Sequence, residues 1–246
     1  VIGAGMMGAG IAHAHARRGL ATWLKDTDTA RAEAGKAHAV ALCDKAIARG
    51  RMDAAGKAAL LDPITPSAGD APPGSVDLIV EAVFEDIDLK ERVIASTWPM
   101  LSESGIYGTN TSTLPISVLA EAAPDPSRVI GLHFFSPVDR MKVVEIVVGK
   151  ATGPDTLRRA YDYVRQIGYL PIVVNDSRGF FTSRVFATYL DEGCQLLTDG
   201  MAPDQIERAA WLAGMPAGPL AVFDEVSLIL GQKVRQTHAT LDARLG

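Results

Sequence analysis

The chain has 246 residues, of which 48% are hydrophobic, and a formal net charge of −5 at pH 7. This length suffices for one large domain or two modest ones with a buried core, and the negative charge excludes a general attraction to nucleic acid or to an anionic membrane. Cys43 and Cys194 lie far apart in the sequence, which favours free thiols in a reducing compartment over a disulfide framework or a metal site. Two prolines break the longest apolar stretch, residues 209–223, so we predict no transmembrane helix, and we find no targeting peptide.

The chain opens with VIGAGMMGAGIAHAHARRG, in which three glycines have the spacing of a dinucleotide-binding turn. The first permits a sharp turn, the second lets the backbone approach a pyrophosphate, and the third lets the next helix pack against its strand. The predicted cofactor-binding residues of this turn are Gly3, Gly5, Met6, Met7 and Gly8. Taken alone, the spacing also fits a packed helix start near Met7 without a ligand. Residues 1–2 are only the tail of a first strand, so we expect this strand to be truncated and the sequence to be a piece of a longer chain.

A second strand is predicted from Leu20 to Lys25, and Asp26 follows it at the place where the ribose of adenosine would lie. A carboxylate there accepts hydrogen bonds from the ribose hydroxyls and repels a 2′-phosphate, so Asp26 favours NAD over NADP. Asp28 is the alternative acid, but its position before a long helical segment is typical of a helix N-cap. The order of strand, glycine turn, helix, strand and acid predicts dinucleotide binding.

Strand and helix patterns then alternate along the chain. Predicted strands cover residues 76–83, 105–109, 127–135, 141–149 and 169–176, and predicted helices cover residues 29–51, 86–101, 113–123 and 154–167. This alternation predicts a doubly wound, parallel α/β sheet of Rossmann type. From Ser177 onward only helical patterns occur, over residues 178–200, 202–214 and 221–245. We therefore predict a Rossmann-type domain at residues 1–176 and a smaller all-helical domain at residues 177–246.

Four ordered segments, VEAVFEDIDLK, GTNTSTLPIS, GLHFFSPVDRMKVVEIV and DSRGFFTSRV, resemble the 3-hydroxyacyl-CoA dehydrogenase family, and the resemblance covers essentially the whole chain. HFFSPVDRM and SRGFFTSR are closer to the multifunctional fatty-acid oxidation enzymes, in which this dehydrogenase follows an enoyl-CoA hydratase, than to the free-standing form. The resemblance implies NAD-dependent oxidation of L-3-hydroxyacyl-CoA to 3-ketoacyl-CoA in beta-oxidation, with the substrate in the cleft between the two domains.

The same resemblance implies partners and a location. It implies association with a second copy or with a further helical repeat, with the hydratase portion, and with a thiolase subunit as a further partner. A bacterial-type cytoplasmic location is expected, with a mitochondrial or peroxisomal matrix as alternatives.

Oxidation of a secondary alcohol needs a base that takes the hydroxyl proton, and histidine suits this role near neutral pH. His133 lies at the end of a predicted strand, where open α/β sheets bind ligands, although a lone histidine there also fits a structural role. The other four histidines fit structural roles in helical patterns; they are His13, His15, His38 and His238. Glu145 stands in an apolar segment where a buried carboxylate must be paired or protonated, and the matching family Glu partners the matching His. From the residues alone, an outward position on an edge strand is equally compatible.

Ser112 matches the family serine that hydrogen-bonds the substrate oxygen, and Asn110 heads the same loop near the nicotinamide. The sequence NTST also fits ordinary turn chemistry. Glu85 and Lys90 match cofactor-contacting positions, although by themselves they read as a solvated helix start. Ser183 stands where free-standing members have Asn, and we expect it to be a substrate-side contact of shorter reach.

A basic cluster offers cations for the phosphates of CoA, although a solvated helix face explains it equally well. The cluster consists of Lys45, Arg49, Arg51 and Lys57. Two other functions remain open. One is a catalytically silent nucleotide-binding scaffold, which an assay of NADH formation separates from an enzyme. The other is a Rossmann dehydrogenase of a sugar acid, nucleotide sugar or other hydroxy acid, but those enzymes lack the HFFSPVDRM arrangement.

Overall fold

The chain divides into two compact units, Val1–Phe181 and Thr182–Gly246. The computed structural model describes residues 1–69 and 74–226. The predicted domain boundary, between residues 176 and 177, lies a few residues before the boundary between these units.

The first unit contains seven strands and six α-helices in the part of the chain that the structure describes. The strands are β1 (Thr22–Lys25), β2 (Ile64–Ser67), β3 (Val76–Glu81), β4 (Leu101–Thr109), β5 (Val129–Phe134), β6 (Val143–Val148) and β7 (Leu170–Asn175). The helices are α1 (Met6–Ala16), α2 (Thr29–Ala48), α3 (Ala54–Leu61), α4 (Ile87–Thr97), α5 (Ile116–Leu119) and α6 (Pro154–Gln166).

The strands form one continuous layer in the order β2, β1, Ile2, β3, β4, β5, β6, β7. Ile2 joins the two parts of the layer, because its N–H donates to Val80 O at 2.9 Å while the N–H of Gly3 donates to Lys25 O at 2.8 Å. The pairs from β2 to β5 are parallel, whereas β6 runs antiparallel to β5 and parallel to β7. The Rossmann-type sheet is confirmed, but the prediction of parallel strands throughout is wrong at β6.

The length of the connection explains this reversal. Only residues 135–142 separate β5 from β6, whereas a parallel crossover needs roughly a dozen residues or more. The connection is therefore too short to carry a helix back across the sheet.

Helices cover both faces of the layer. Ile130 and Leu132 of β5 belong to a buried cluster with residues of α1 and α6, whereas Val129 belongs to a second cluster with residues of α4 and α5. Because successive residues of a strand point to opposite faces, the two clusters lie on opposite sides of the sheet. This is the doubly wound arrangement that the alternation predicts.

Two helices differ from their predicted lengths. The helix predicted to reach residue 101 ends at Thr97, and Trp98–Met100 forms a 3₁₀ turn before β4, because Pro99 has no N–H with which to continue an α-helix. The helix predicted at residues 113–123 is reduced to α5 and a 3₁₀ turn, Ala120–Ala122. The preceding loop is hydrogen-bonded to Glu85 instead of to the helix backbone.

In its described part, Thr182–Val226, the second unit contains only helices: α7 (Thr182–Thr198), α8 (Pro203–Leu212) and α9 (Pro219–Val226). A Cβ at Gly193 would lie 2.6 Å from Pro219, so the glycine allows α7 to approach α9 closely. The rest of the helix predicted to residue 245, including His238, lies outside the described residues.

Within residues 1–69 and 74–226, no helix is both long and apolar enough to cross a membrane. In the same residues, no group of three or more histidine, cysteine or acidic side chains is arranged to hold a metal ion. Cys43 is buried, Cys194 is partly buried, and both are free thiols.

Candidate active site

The predicted cofactor and catalytic residues of the first unit meet at one edge of its sheet. The glycine turn follows Ile2, Asp26 follows β1, Glu85 follows β3, Asn110 follows β4, and His133 lies near the end of β5. These strands are parallel, so their carboxyl ends lie on the same side of the sheet, which is where open α/β sheets bind ligands.

The glycine turn has the geometry of a phosphate cradle. Gly3 has φ +94°, and a Cβ there would lie 2.7 Å from Ala82 O, while a Cβ on Gly8 would collide with the carbonyl oxygen of Gly3. A Cβ on Gly5, by contrast, would meet no atom within 4 Å. Helix α1 begins at Met6, and none of the described side chains caps it. Its first N–H groups therefore adjoin open space, which fits the pyrophosphate of a dinucleotide.

Asp26 is fixed against this turn. Its Oδ2 accepts the N–H of Ala4 at 2.7 Å, and its Oδ1 accepts the N–H of Thr27 at 2.7 Å. The carboxylate is thereby held beside the cradle, as a ribose-binding acid requires. Asp28 instead accepts the N–H of Arg31 at 2.9 Å and caps α2, so its predicted role as N-cap is confirmed.

His133 and Glu145 form a buried pair at the centre of the site. They are direct cross-strand partners of the antiparallel strands β5 and β6, so their side chains lie on the same face. The His133 Nδ1 lies 2.7 Å from the Glu145 Oε2, and the Glu145 side chain is 0% exposed. An ionised carboxylate only accepts hydrogen bonds, so with Glu145 ionised Nδ1 carries the hydrogen and Nε2 has a free lone pair.

The turn after β7 also supports this pair. The N–H of Phe181 donates to the second oxygen of Glu145 at 3.0 Å. The preceding Phe180 is buried, and its ring centroid lies 5.7 Å from that of His133. Phe180 has φ +47°, a left-handed conformation that costs a non-glycine residue about 1–3 kcal/mol. This conformation turns the next N–H towards Glu145.

Glu85 clamps the loop that carries the predicted serine. Its Oε1 accepts hydrogen bonds from the hydroxyl of Thr111 (2.6 Å), the N–H and hydroxyl of Ser112 (2.9 and 3.3 Å), and the N–H and hydroxyl of Thr113 (3.0 and 3.1 Å). We call these three residues the hydroxyl loop. Burial raises the pKa of the Glu85 carboxyl, but the hydrogen bonds from this loop and the charge of Lys90 outweigh burial and lower that pKa. The ionised carboxylate therefore holds the loop.

Lys90 does not lie at a solvated helix start, so that interpretation is wrong. Its side chain is 0% exposed, and its ammonium donates to Glu81 at 2.8 Å and lies 3.6 Å from Glu85. Sequence reasoning missed Glu81, which is also 0% exposed. The signal was present, since the charged Glu81 directly follows the apolar run at residues 78–80, but the residue that would neutralise it lies on another element.

Asn110 joins two strands at this edge. Its side-chain oxygen accepts the N–H of Phe134 at 2.9 Å, which ties the end of β4 to the end of β5 next to His133. The loop that holds Ser112 is thus fixed from two sides, by Asn110 and by Glu85.

A basic cavity of about 460 Å³ lies between the C-terminal parts of α1 and α2 and the connection from β5 to β6. The cations that line it are Arg17, Lys45, Arg49, Arg51 and Arg140. Lys57, the fourth residue of the predicted cluster, does not line this cavity and pairs with Asp44. His13 also lines the cavity. In the described part of the chain, the Nδ1 of His13 has no hydrogen-bond partner. Burial, together with the charge of Arg17, lowers the pKa of His13 to about 4.

Residues 1–177 match the family description "3-hydroxyacyl-CoA dehydrogenase, NAD binding domain", and residues 179–245 match "3-hydroxyacyl-CoA dehydrogenase, C-terminal domain". The chain belongs to the 3-hydroxyacyl-CoA dehydrogenase family. Its first 177 residues are accordingly the NAD-binding domain of this family, which confirms the predicted cofactor.

Solved structures and curated proteins of this family resemble the chain over nearly its whole length. The (S)-3-hydroxybutyryl-CoA dehydrogenase of Ralstonia eutropha has a TM-score of 0.91 and 32% identity, over 97% of this chain and 85% of that one. The 3-hydroxybutyryl-CoA dehydrogenase of Escherichia coli has a TM-score of 0.92 and 29% identity, over 98% of this chain and 51% of that one. The fatty acid oxidation complex subunit alpha of a Shewanella species is 37% identical over 95% of this chain. The chain spans about 33% of the length of that subunit.

Ser183 lies in the second unit, near the start of α7, and is half-buried. Its assignment to the substrate side stays a prediction carried by the family pattern. The residues of the first unit that the sequence placed at the site are brought together at one sheet edge, and the structure adds Glu81, Thr111, Thr113 and Phe181 to them.

Proposed function

We propose that this 3-hydroxyacyl-CoA dehydrogenase family member oxidises L-3-hydroxyacyl-CoA to 3-ketoacyl-CoA with NAD. The buried pair of His133 and Glu145, 2.7 Å apart at the edge of the sheet that carries the glycine turn, supports this most directly. A catalytically silent scaffold would have no need to bury a carboxylate behind a histidine, since burial of an unneeded charge is costly.

In the proposed reaction, His133 Nε2 takes the proton of the substrate hydroxyl. Glu145 stabilises the imidazolium that forms, because its carboxylate stays within hydrogen-bond contact of Nδ1. The Ser112 hydroxyl, which donates to Glu85 at 3.3 Å, would turn to donate to the substrate oxygen, while the N–H groups of Ser112 and Thr113 stay bonded to Glu85 and keep the loop in place. When bound, NAD accepts the hydride that leaves C3.

The cofactor residues are proposed from the same geometry. The glycine turn and the first turn of α1, including Met6 and Met7, would hold the pyrophosphate, and Asp26 would accept from the ribose hydroxyls. Glu85, Lys90 and Asn110 would form the nicotinamide side, with Lys90 acting from the interior. NAD is favoured over NADP because a 2′-phosphate would adjoin the carboxylate of Asp26.

The basic cavity would receive the phosphates of CoA. The chain has a formal charge of −5, so an anionic substrate needs a local group of cations. Arg49 and Arg51, which follow α2, line this cavity, as does His13, whose Nδ1 has no hydrogen-bond partner among the described residues. Lys57 does not line this cavity and pairs with Asp44, so we assign it no phosphate contact.

The wider setting is proposed from the relatives. The chain matches about one third of the length of the alpha subunit of a fatty acid oxidation complex. For this reason we place it in beta-oxidation, within a larger assembly. A hydratase portion, a thiolase subunit and a second copy or further helical repeat are the expected partners. Trp211 and Leu212 of the second unit are 73% and 79% exposed, as an association surface requires. The location in the cell stays a prediction.

NADH formation tests the proposal. The chain should reduce NAD with 3-hydroxyacyl-CoA esters and not with sugar acids or short hydroxy acids, and a series of acyl lengths measures its preference. The N-acetylcysteamine thioester of 3-hydroxybutyrate, which has no phosphates, should show a raised KM and a similar kcat.

Two variants test the basic cavity in the same assay. Arg49→Ala should raise the KM for the CoA ester by about tenfold, as loss of one charge-assisted phosphate contact does, and leave the KM for the N-acetylcysteamine thioester unchanged. Lys57→Ala is the matched control and should change neither value. Absence of NADH with every 3-hydroxyacyl-CoA would refute the proposed activity.

A further inference from the structure

Glu81, at the end of β3, is a buried junction between four segments of the chain. Its Oε1 accepts the N–H of Val83 at 2.7 Å and the ammonium of Lys90 at 2.8 Å, and its Oε2 accepts the hydroxyl of Thr109 at 2.8 Å. These donors belong to the loop after β3, to α4 and to the end of β4. The carboxylate therefore fixes the segment that leads to Glu85 and the end of β4, which leads to the hydroxyl loop.

The charge of Lys90 is confined to this interior. Its side chain is 0% exposed, and its ammonium donates to Glu81 and to the carbonyl of Val83, at 2.8 and 3.4 Å. Glu85 is its second anionic neighbour, at 3.6 Å. A buried ammonium between two carboxylates is held in a fixed position. One of these two carboxylates, Glu85, is the one that clamps the hydroxyl loop.

The position of Glu85 determines that of Ser112. All five hydrogen bonds from the hydroxyl loop reach the same Glu85 oxygen, while its other oxygen faces Lys90. A shift of the ammonium would therefore move or release the carboxylate that holds the serine. Misplacement of a catalytic group by about 1 Å can lower a rate by about a hundredfold.

We propose that Glu81 is a positioning residue for catalysis, which holds Lys90 beside Glu85 so that Glu85 in turn fixes the hydroxyl of Ser112. This inference rests on the proposed function, since it concerns the serine that contacts the substrate oxygen. Glu81 itself touches neither substrate nor cofactor in this account, and Lys90 acts on the loop through Glu85.

A structural role and a positioning role make different predictions for paired variants. Loss of one partner leaves a buried charge uncompensated and destabilises the protein, whereas replacement of both partners by neutral residues of similar size restores much of the stability. Glu81→Gln and Lys90→Met are the single changes, and Glu81→Gln with Lys90→Met is the double change. Only a positioning role keeps kcat low in the stable double variant, because the Lys90 ammonium is then lost from beside Glu85.

The experiment measures Tm, kcat, KM and the Kd for NAD of these variants. Both single variants should lose Tm, and the double variant should regain most of it. In all three, kcat at saturating NAD should fall by about tenfold or more. In Glu81→Gln, which keeps Lys90, the KM for the acyl-CoA and the Kd for NAD should stay within about threefold of the parent protein. The matched control is Tyr163→Phe, which removes the buried hydrogen bond between Tyr163 and His15 at 2.5 Å. It should lower Tm without lowering kcat.

Three outcomes would overturn the inference. They are a Glu81→Gln protein with the kcat of the parent, a Glu81→Gln protein whose Kd for NAD rises in proportion to its loss of kcat, and a double variant that regains kcat together with Tm. The parent protein is assayed first, so absence of turnover there refutes the proposed function and is distinguished from a failure of this inference.

Discussion

Replacement of Glu145 by Gln should disable the histidine while preserving its surroundings. Glu145 accepts from His133 Nδ1 at 2.7 Å with one oxygen and from the Phe181 N–H at 3.0 Å with the other. A glutamine has only one oxygen, and the backbone N–H can only donate, so the amide oxygen stays with Phe181 and the amide NH₂ faces His133. Nδ1 must then accept, and the ring hydrogen moves to Nε2, the atom that should take the substrate proton.

The size of the effect follows from this contact. A buried charge-assisted contact of this length contributes about 2–4 kcal/mol to the stabilisation of an imidazolium, which corresponds to about thirtyfold to a thousandfold in rate. The unfavourable tautomer adds to this loss; the equivalent change in a serine protease triad costs about 10⁴-fold. We therefore expect kcat to fall by about 10²- to 10⁴-fold.

The assay combines kinetics with a direct observation of the ring. Initial rates should show the loss in kcat, with the KM for the acyl-CoA and the Kd for NAD nearly unchanged. The acidic limb of the pH–rate profile should move to lower pH, because the imidazolium has lost its anionic partner. Long-range ¹H–¹⁵N NMR should show the hydrogen on Nδ1 in the parent and on Nε2 in the variant. His133→Ala should abolish most turnover, and the double variant should lose little more than the worse single one.

Two results would refute this reasoning. A Glu145→Gln enzyme whose kcat stays within about threefold of the parent would show that the pair does not act in the rate-limiting chemistry. A double variant whose loss equals the product of the two single losses would show that Glu145 does not act through His133.

Three further predictions concern the cofactor cradle and the core. Gly5→Ala should change the free energy of unfolding by less than about 0.5 kcal/mol, since a Cβ there meets no described atom within 4 Å. The same change should weaken NAD binding, which calorimetry measures. Gly8→Ala, whose Cβ collides with Gly3 O, should lower both the free energy of unfolding and the affinity for NAD. Asp26→Asn keeps an oxygen that accepts the Ala4 N–H but loses the negative charge. It should therefore weaken NAD binding and narrow the preference for NAD over NADP. An unchanged ratio of the two Kd values would contradict the proposed role of Asp26. Burial lowers the pKa of His15 to about 3 from 6.5, so the unfolded chain binds the proton first as the pH falls. About 2 kcal/mol of the free energy of unfolding should therefore be lost between pH 6.5 and 5. Urea unfolding should measure this loss, and it should be smaller in His15→Gln.

The sequence predicts most of the first unit because its signals are local. The glycine spacing, the N-cap at Asp28 and the alternation of elements each depend on residues near one another, and the structure agrees with them. Glu145 could not be placed from the residues alone, because a single sequence does not show that the connection after β5 reverses the next strand. The burial of Lys90 was missed for a related reason, since Glu81 neutralises it from another element across nine positions of the chain.

The antiparallel pairing of β5 and β6 has a consequence for engineering. The distance between His133 and Glu145 is set by backbone hydrogen bonds between the two strands, and the connecting residues 135–142 take no part in that register. A graft that replaces only residues 139–141, and so keeps the length of the connection and the buried Val138, would therefore leave the His133–Glu145 pair assembled. The same graft would exchange Arg140 and its neighbours at the basic cavity. Under the proposed function, substrate preference would be redesigned in one cassette while the proposed proton transfer remains on the fixed strands.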